Sequence, residues 1–286
     1  MPPFNAPSHL AFPWLGTSDM SGPEEELRAA LRTDQFRVHW QPVVTCDSGD
    51  LLGFEALIRW DRPGIGEVLP RAFIPIIERL DLHREFDRWM LHQACAAAAH
   101  WPGYSVSVNI SAQWFSGSGL VACVATALER LHMEPARLEL EVDESVMRLG
   151  PTAVQNLTSL KGLGVRLALD DFGSGQALLG ILQDMPFDKL KLDQAFVRRL
   201  GQCRRTEAIV RAMLQLGNAL NLTICAEGVE RPEQLAILQA YGCHEVQGYL
   251  IGKPRQALPD MLDFYDRLDR SMLFMAASRD CSAIAL

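Results

Sequence analysis

The chain has 286 residues, 48% of them hydrophobic and 22% charged, with 35 Asp and Glu against 27 Lys and Arg for a net charge of -8. At this length a hydrophobic core suffices without disulfides or a structural metal, and a single α/β barrel of roughly 200–250 residues fits. The acidic balance excludes a general binder of nucleic-acid polymers, which would neutralise phosphates with basic side chains.

Residues 1–22 carry Pro2, Pro3, Pro7, Pro13 and Gly16 without periodicity and are expected to form a flexible arm. A helix is predicted to start at Ser21-Gly22-Pro23-Glu24, where Ser21 and Glu24 have capping-box spacing. Residues 36–44 and 51–60 read as strands joined through Ser48-Gly49-Asp50, a link short enough for an antiparallel hairpin. Helical stretches then alternate with short apolar runs. The runs cover residues 105–109, 138–141, 165–171, 189–193, 222–227 and 245–247, and the helices 71–80, 85–100, 121–131, 152–160, 206–220 and 232–240. Such alternation predicts parallel β/α units, and about eight of them suggest a closed barrel. The barrel is expected over residues 23–270, with a C-terminal tail at 271–286. The 7 cysteines form no CxxC pair and read as small hydrophobes of a reducing compartment. No run approaches the roughly 18 apolar residues of a membrane-crossing helix, so the expected location is cytoplasmic.

Polar residues close the apolar runs. Asn109 ends SVSVN, Glu141 ends LELE, Asp170 and Asp171 end VRLALDD, Lys191 lies in DKLKLD, Glu227 ends LTICAE, Gln247 ends HEVQ, and Glu55 lies on the second strand. In a parallel barrel the C-terminal strand ends form one rim, where active sites lie. Any one of these acids could simply cap the helix after it. Capping does not explain the adjacent pair Asp170-Asp171, whose mutual repulsion at a buried strand end costs several kcal/mol unless a cation neutralises it. Oxygen ligands of this kind suit Mg²⁺ or Mn²⁺, and their number suits two ions, which can clamp a phosphate and activate a water. A lysine among them either orients that water or forms a salt bridge with a neighbouring acid.

The motifs resemble one family, the EAL-domain phosphodiesterases that linearise cyclic di-GMP. Glu55-Ala56-Leu57 is the name-giving motif. It is accompanied in family order by Gln41-Pro42, Val108-Asn109-Ile110-Ser111, Glu141-Val142-Asp143-Glu144-Ser145, Asp170-Asp171-Phe172-Gly173-Ser174-Gly175, Lys191-Leu192-Asp193, Ala226-Glu227-Gly228-Val229-Glu230 and Gln247-Gly248-Tyr249. The resemblance covers roughly residues 23–265 and implies a modified TIM (β/α)8 barrel with one antiparallel strand, hydrolysing one phosphodiester of cyclic di-GMP to linear pGpG.

The resemblance further implies that Glu55, Asn109, Glu141, Asp170, Asp171 and Glu227 hold two Mg²⁺ or Mn²⁺ ions, with inhibition by Ca²⁺. It makes Lys191, Glu227 and Gln247 the catalytic residues, and Gln41, Leu57, Arg59 and Asp193 the substrate contacts. Glu144 looks like the glutamate that holds the loop after Asp171, with Ser174 in that loop, and Glu230 like the acid behind Glu227. A homodimer is implied as well. The chain departs from the family at Gln176-Ala177-Leu178-Leu179, where hydroxyl residues are usual, and at Asp143, which replaces a threonine. The short arm is expected to hold no sensor or cyclase domain, and regulation is expected from a protein partner or from expression. The rival readings are a non-catalytic receptor for cyclic di-GMP or a protein on the same barrel, and a barrel enzyme acting on another phosphoester.

Overall fold

The computed structural model describes residues 21–173, 182 and 185–256. The expected arm, apart from Gly22 and Ser21, the expected tail and the segment holding Ser174 and Gln176 to Leu179 lie outside these residues.

Helix α1 (Ser21–Arg32) leads into the hairpin of β1 (Phe36–Thr45) and β2 (Leu51–Arg62). α1 begins at Ser21 itself, and Glu24 accepts from Arg28 one turn on, at 3.0 Å. The hairpin is antiparallel with Gln41 opposite Glu55, as the short link requires. β3 (Gly66–Val68) pairs with the far end of β2, beyond the reach of a three-residue hydrophobic pattern. After α2 (Pro70–Arg79) and α3 (His83–Ala98) come β4 (Ser105–Asn109), α4 (Ala112–Ser116), α5 (Leu120–Arg130) and β5 (Leu138–Asp143). Then follow α6 (Pro151–Leu163), β6 (Arg166–Phe172), β7 (Lys189–Leu192), α7 (Gln194–Val197), α8 (Arg204–Ala219), β8 (Thr223–Ala226), α9 (Pro232–Ala240), β9 (Glu245–Val246) and β10 (Arg255–Gln256).

The ladder order β1-β9-β8-β7-β6-β5-β4-β2 closes through the β1–β2 pairing into an eight-stranded barrel. Seven strands run parallel and β1 runs against both neighbours. This is a modified TIM barrel with one antiparallel strand. β10 pairs beside β9 on the same edge of β1 and adds no stave.

The helices bury apolar stripes against the outer faces of the strands. On α2, Pro70 sits at the first turn, where its missing N–H costs nothing, and Phe73, Ile76 and Ile77 face inward at i, i+3 and i+4. Phe36 stacks on Trp60 with ring centroids 5.4 Å apart and meets Phe86 edge-on at 5.0 Å. Trp40 and Trp101 form a second edge-to-face pair at 4.9 Å. Cys46, Cys95, Cys225 and Cys243 are buried, whereas Cys203 is half-buried at the start of α8 and Cys281 lies outside the described residues.

Candidate active site

Parallel strands with polar C-terminal ends bring one residue after another to the same mouth. Glu55, Glu141, Lys191 and Gln247 are buried, while Asp170 and Glu227 are half-buried and Asn109 and Asp171 exposed. The Asn109 amide donates to Glu55 at 3.0 Å and to Glu141 at 3.2 Å. Gln247 donates to Glu55 at 2.5 Å and to Gln41 at 3.1 Å, and Gln41 donates to the Gly252 carbonyl at 3.0 Å. The Oε1 of Gln247 is buried with no hydrogen-bond partner among the described residues.

Lys191 is the hub. Its Nζ lies 2.6 Å from Glu141, 2.6 Å from Glu227, 3.5 Å from Glu55 and 3.6 Å from Asp170. Burial disfavours the ammonium, but Asp170, Glu141, Glu227 and Glu55 outweigh it and hold Lys191 protonated well above its ordinary value. One lysine does not neutralise so many acids. Burial, and then repulsion from Asp170 and Glu55, push Glu227 up to about 8 despite Lys191. Although Asp171 is exposed, the partial desolvation of its carboxyl and the carboxylates of Asp170 and Asp193 push it up to about 6.

Asp170 and Asp171 reach the mouth together because the ladder is irregular there. Alternation in a regular strand would turn them to opposite faces. Between Leu169 and Phe172 β6 advances three residues while β7 advances two, from Leu190 to Leu192, and Asp171 takes a left-handed backbone with φ 53°. One oxygen from each of Asp170, Asp171 and Glu227 then lies within 4.8 Å of the others. Carboxylate oxygens so close, with excess negative charge, fit a divalent cation of the Mg²⁺ or Mn²⁺ type.

The loop after β6 is tied back by Glu144, which accepts from the Gly173 N–H at 2.8 Å. Gly173 has φ 92°, and a Cβ there would overlap Met213 and Phe196. Asp143 caps the turn it begins, accepting from the Ser145 N–H at 2.7 Å.

A cavity of about 280 Å³ lies over the mouth, lined by Gln41, Glu55, Leu57, Arg59, Asp170, Glu227, Glu230, Gln247 and Tyr249 among others. The predicted substrate contacts Gln41, Leu57 and Arg59 are thus on one wall. Asp193 is not among the lining residues. It caps α7 through the Ala195 N–H at 2.5 Å and crowds Asp171. Glu230 is exposed on the rim, and among the described residues no hydrogen bond links its carboxylate to Glu227. Ser174 lies outside the described residues. Tyr249, the last residue of Gln247-Gly248-Tyr249, also lines this cavity, a position that its motif alone does not announce; it is 57% exposed beside Lys253.

Known proteins share both sequence and architecture. The chain is 42% identical over 231 residues to an uncharacterized signaling protein of Caulobacter vibrioides, covering 80% of this chain and 29% of that one. It is 39% identical over 238 residues to the bifunctional diguanylate cyclase/cyclic di-GMP phosphodiesterase MucR of Pseudomonas aeruginosa, covering 81% and 35% respectively. It therefore spans about a third of the length of these curated relatives. The solved structure of the PaMucR phosphodiesterase in complex with c-di-GMP superposes with a TM-score of 0.79 at 38% identity, covering 82% of this chain and 97% of that chain. The EAL domain family matches residues 24–254, nearly all of the described barrel, and the chain belongs to that family.

Proposed function

We propose that this chain hydrolyses one phosphodiester of cyclic di-GMP to linear pGpG, using two Mg²⁺ or Mn²⁺ ions. The observation that carries the reading is the surplus of carboxylates around a single protonated Lys191 at the C-terminal mouth of the barrel. The names of the relatives, a cyclic di-GMP phosphodiesterase and a phosphodiesterase bound to c-di-GMP, support the substrate. Glu55, Asn109, Glu141, Asp170, Asp171 and Glu227 would hold the ions, which when bound supply Lewis-acid polarisation of the phosphate and an activated water.

The chain's own residues do the rest. Lys191, kept protonated, acts as a fixed positive charge and hydrogen-bond donor toward the attacking water or the phosphoryl oxygens, not as a base. Gln247, whose buried Oε1 has no hydrogen-bond partner among the described residues, orients the hydrogen of that water and holds Glu55 in place. Arg59 lies on the cavity wall as a phosphate contact. Ca²⁺, with its looser geometry, would occupy the oxygen site and support binding without turnover. The reading extends to a barrel domain over residues 23–270, a homodimer, a cytoplasmic setting and a regulatory protein partner.

The test is to mix the purified chain with cyclic di-GMP and Mg²⁺ or Mn²⁺ and to follow pGpG by chromatography. Metal-dependent pGpG is expected. Tight binding without product would replace this reading with the receptor.

A further inference from the structure

A second cavity, of about 220 Å³, lies at the opposite end of the barrel from the mouth. Arg166, Lys189 and Glu245, which line it, are the first residues of β6, β7 and β9, so the cavity sits at the N-terminal strand ends. Part of its lining is apolar, from Val43, Leu52 and Phe54. The rest carries charge. Lys189 pairs with Glu139 and Glu245, and Arg166 with Glu139, so these four charges cancel. Arg137 adds a fifth charge that no acid matches. Its guanidinium donates to the carbonyls of Ala98 and Trp101, each at 2.6 Å, and of Tyr104 at 2.9 Å, and no carboxylate of a described residue lies within ion-pair distance of it.

The cavity also holds an unmatched hydroxyl. Ser107 lines it and is only 6% exposed, yet its Oγ has no hydrogen-bond partner among the described residues. Ser107 is level with Glu139, and Glu139 with Arg166, across the adjacent strands β4, β5 and β6. A buried hydroxyl without a partner is costly, and the chamber it faces has room for more than a single water.

We propose that this cavity binds a small organic carboxylate, whose oxygens accept from Arg166 and from the Ser107 hydroxyl and whose apolar body lies against Val43, Leu52 and Phe54. The surplus positive charge of Arg137 selects an anion. Arg166 keeps 35% of its side chain exposed, and its planar fork matches the two oxygens of a carboxylate. Glu139 does not bar the ligand, because Lys189 and Arg166 already neutralise it. The site stands apart from the chemistry at the mouth, where the surplus of carboxylates repels an anion in the absence of metal.

The experiment is calorimetric titration of the full chain, in metal-free buffer, with benzoate, with its neutral isostere benzamide and with inorganic phosphate. Benzoate should bind saturably and at least about tenfold more tightly than benzamide, the scale of one charge-assisted hydrogen bond. Phosphate, a charge without an apolar body, should also bind about tenfold more weakly. Arg166→Gln should remove most of the difference between benzoate and benzamide, and Ser107→Ala should weaken benzoate by about threefold or more. Absence of saturable benzoate binding, equal affinity for benzamide, or an unaltered benzoate affinity in either variant overturns the proposal. Phosphate binding as tight as benzoate overturns the assignment of an organic carboxylate. Should Arg166→Gln fail to fold, Leu52→Trp, which fills the apolar part of the cavity from a half-buried position, must abolish benzoate binding, and unchanged binding overturns the proposal equally.

Discussion

The barrel interior holds two lysine-centred layers, and they differ in one respect. In strands, residues two apart share a face, so Glu139 and Glu141 on β5, like Lys189 and Lys191 on β7, all point inward and are buried. In the floor layer Lys189 lies 2.7 Å from Glu139 and 2.6 Å from Glu245, and Arg166 lies 3.3 Å from Glu139. Two bases meet two acids. Burial opposes the Lys189 charge, but Glu139 and Glu245 outweigh it and raise its pKa. In the mouth layer Lys191 alone meets Glu55, Glu141, Asp170 and Glu227, with Asp171 beside them. The same local pattern is a tie across the barrel where charges match and leaves a surplus of carboxylates, the proposed cation site, where they do not.

Four substitutions put this contrast at risk. The largest effect is expected from Asp170→Ala in the mouth, which removes a proposed metal ligand; pGpG formation in Mg²⁺ should fall below detection. Retention of near wild-type turnover would end the metal assignment. Next, Lys191→Ala should lower kcat by about 100-fold or more while leaving affinity for cyclic di-GMP in Ca²⁺ within about threefold, the pattern of a group acting on the reaction and not on binding. A collapse of affinity with normal single-turnover chemistry would make Lys191 a binding residue.

Lys189→Met in the floor sharpens the comparison from the other side. It takes its lysine partner from buried Glu245 and leaves Glu139 with Arg166 alone, and should cost about 3–5 kcal/mol in urea unfolding. Added Mg²⁺ should restore stability to Lys191→Ala and leave the Lys189→Met loss unchanged; equal responses would erase the distinction between the layers. The smallest effect is expected of Glu144→Ala, which frees the Gly173 N–H without removing a proposed ligand. The Mg²⁺ concentration for half-maximal activity should rise by about tenfold, within the usual range for groups that orient metal ligands. An unchanged Mg²⁺ titration would mean that the loop is held by other contacts.

Much of the barrel is legible in the sequence, because long periodic segments announce themselves. The predicted strand 105–109 and helix 232–240 coincide with β4 and α9, and the Ser48-Gly49-Asp50 link foretells the one antiparallel strand. The short elements β3, β10 and α4 have too few residues to show a period. At the mouth, polar residues ending apolar runs pick out the cluster around Lys191. Asp193 carries the same signal and also caps α7, since both roles place an acid at a strand end. The floor is less legible although LELE and KLKL carry it at period two, because a charged residue inside an apolar run is equally compatible with a strand face turned to solvent.

The extra residue in β6 bears on how charge at this site can be measured. Asp171 contributes both a carboxylate and a tolerance for left-handed backbone, a conformation that costs most L-residues about 1 kcal/mol and that Asn adopts readily. Asp171→Ala would therefore confound lost charge with altered chain geometry, and Asp171→Val would do so more severely, since branching at Cβ makes positive φ harder still. Asp171→Asn isolates the electrostatic contribution. The same reasoning makes the length of the segment 169–172 as informative as its composition: deleting one residue would restore regular alternation and turn one member of the aspartate pair away from the mouth, a change that no side-chain substitution reproduces.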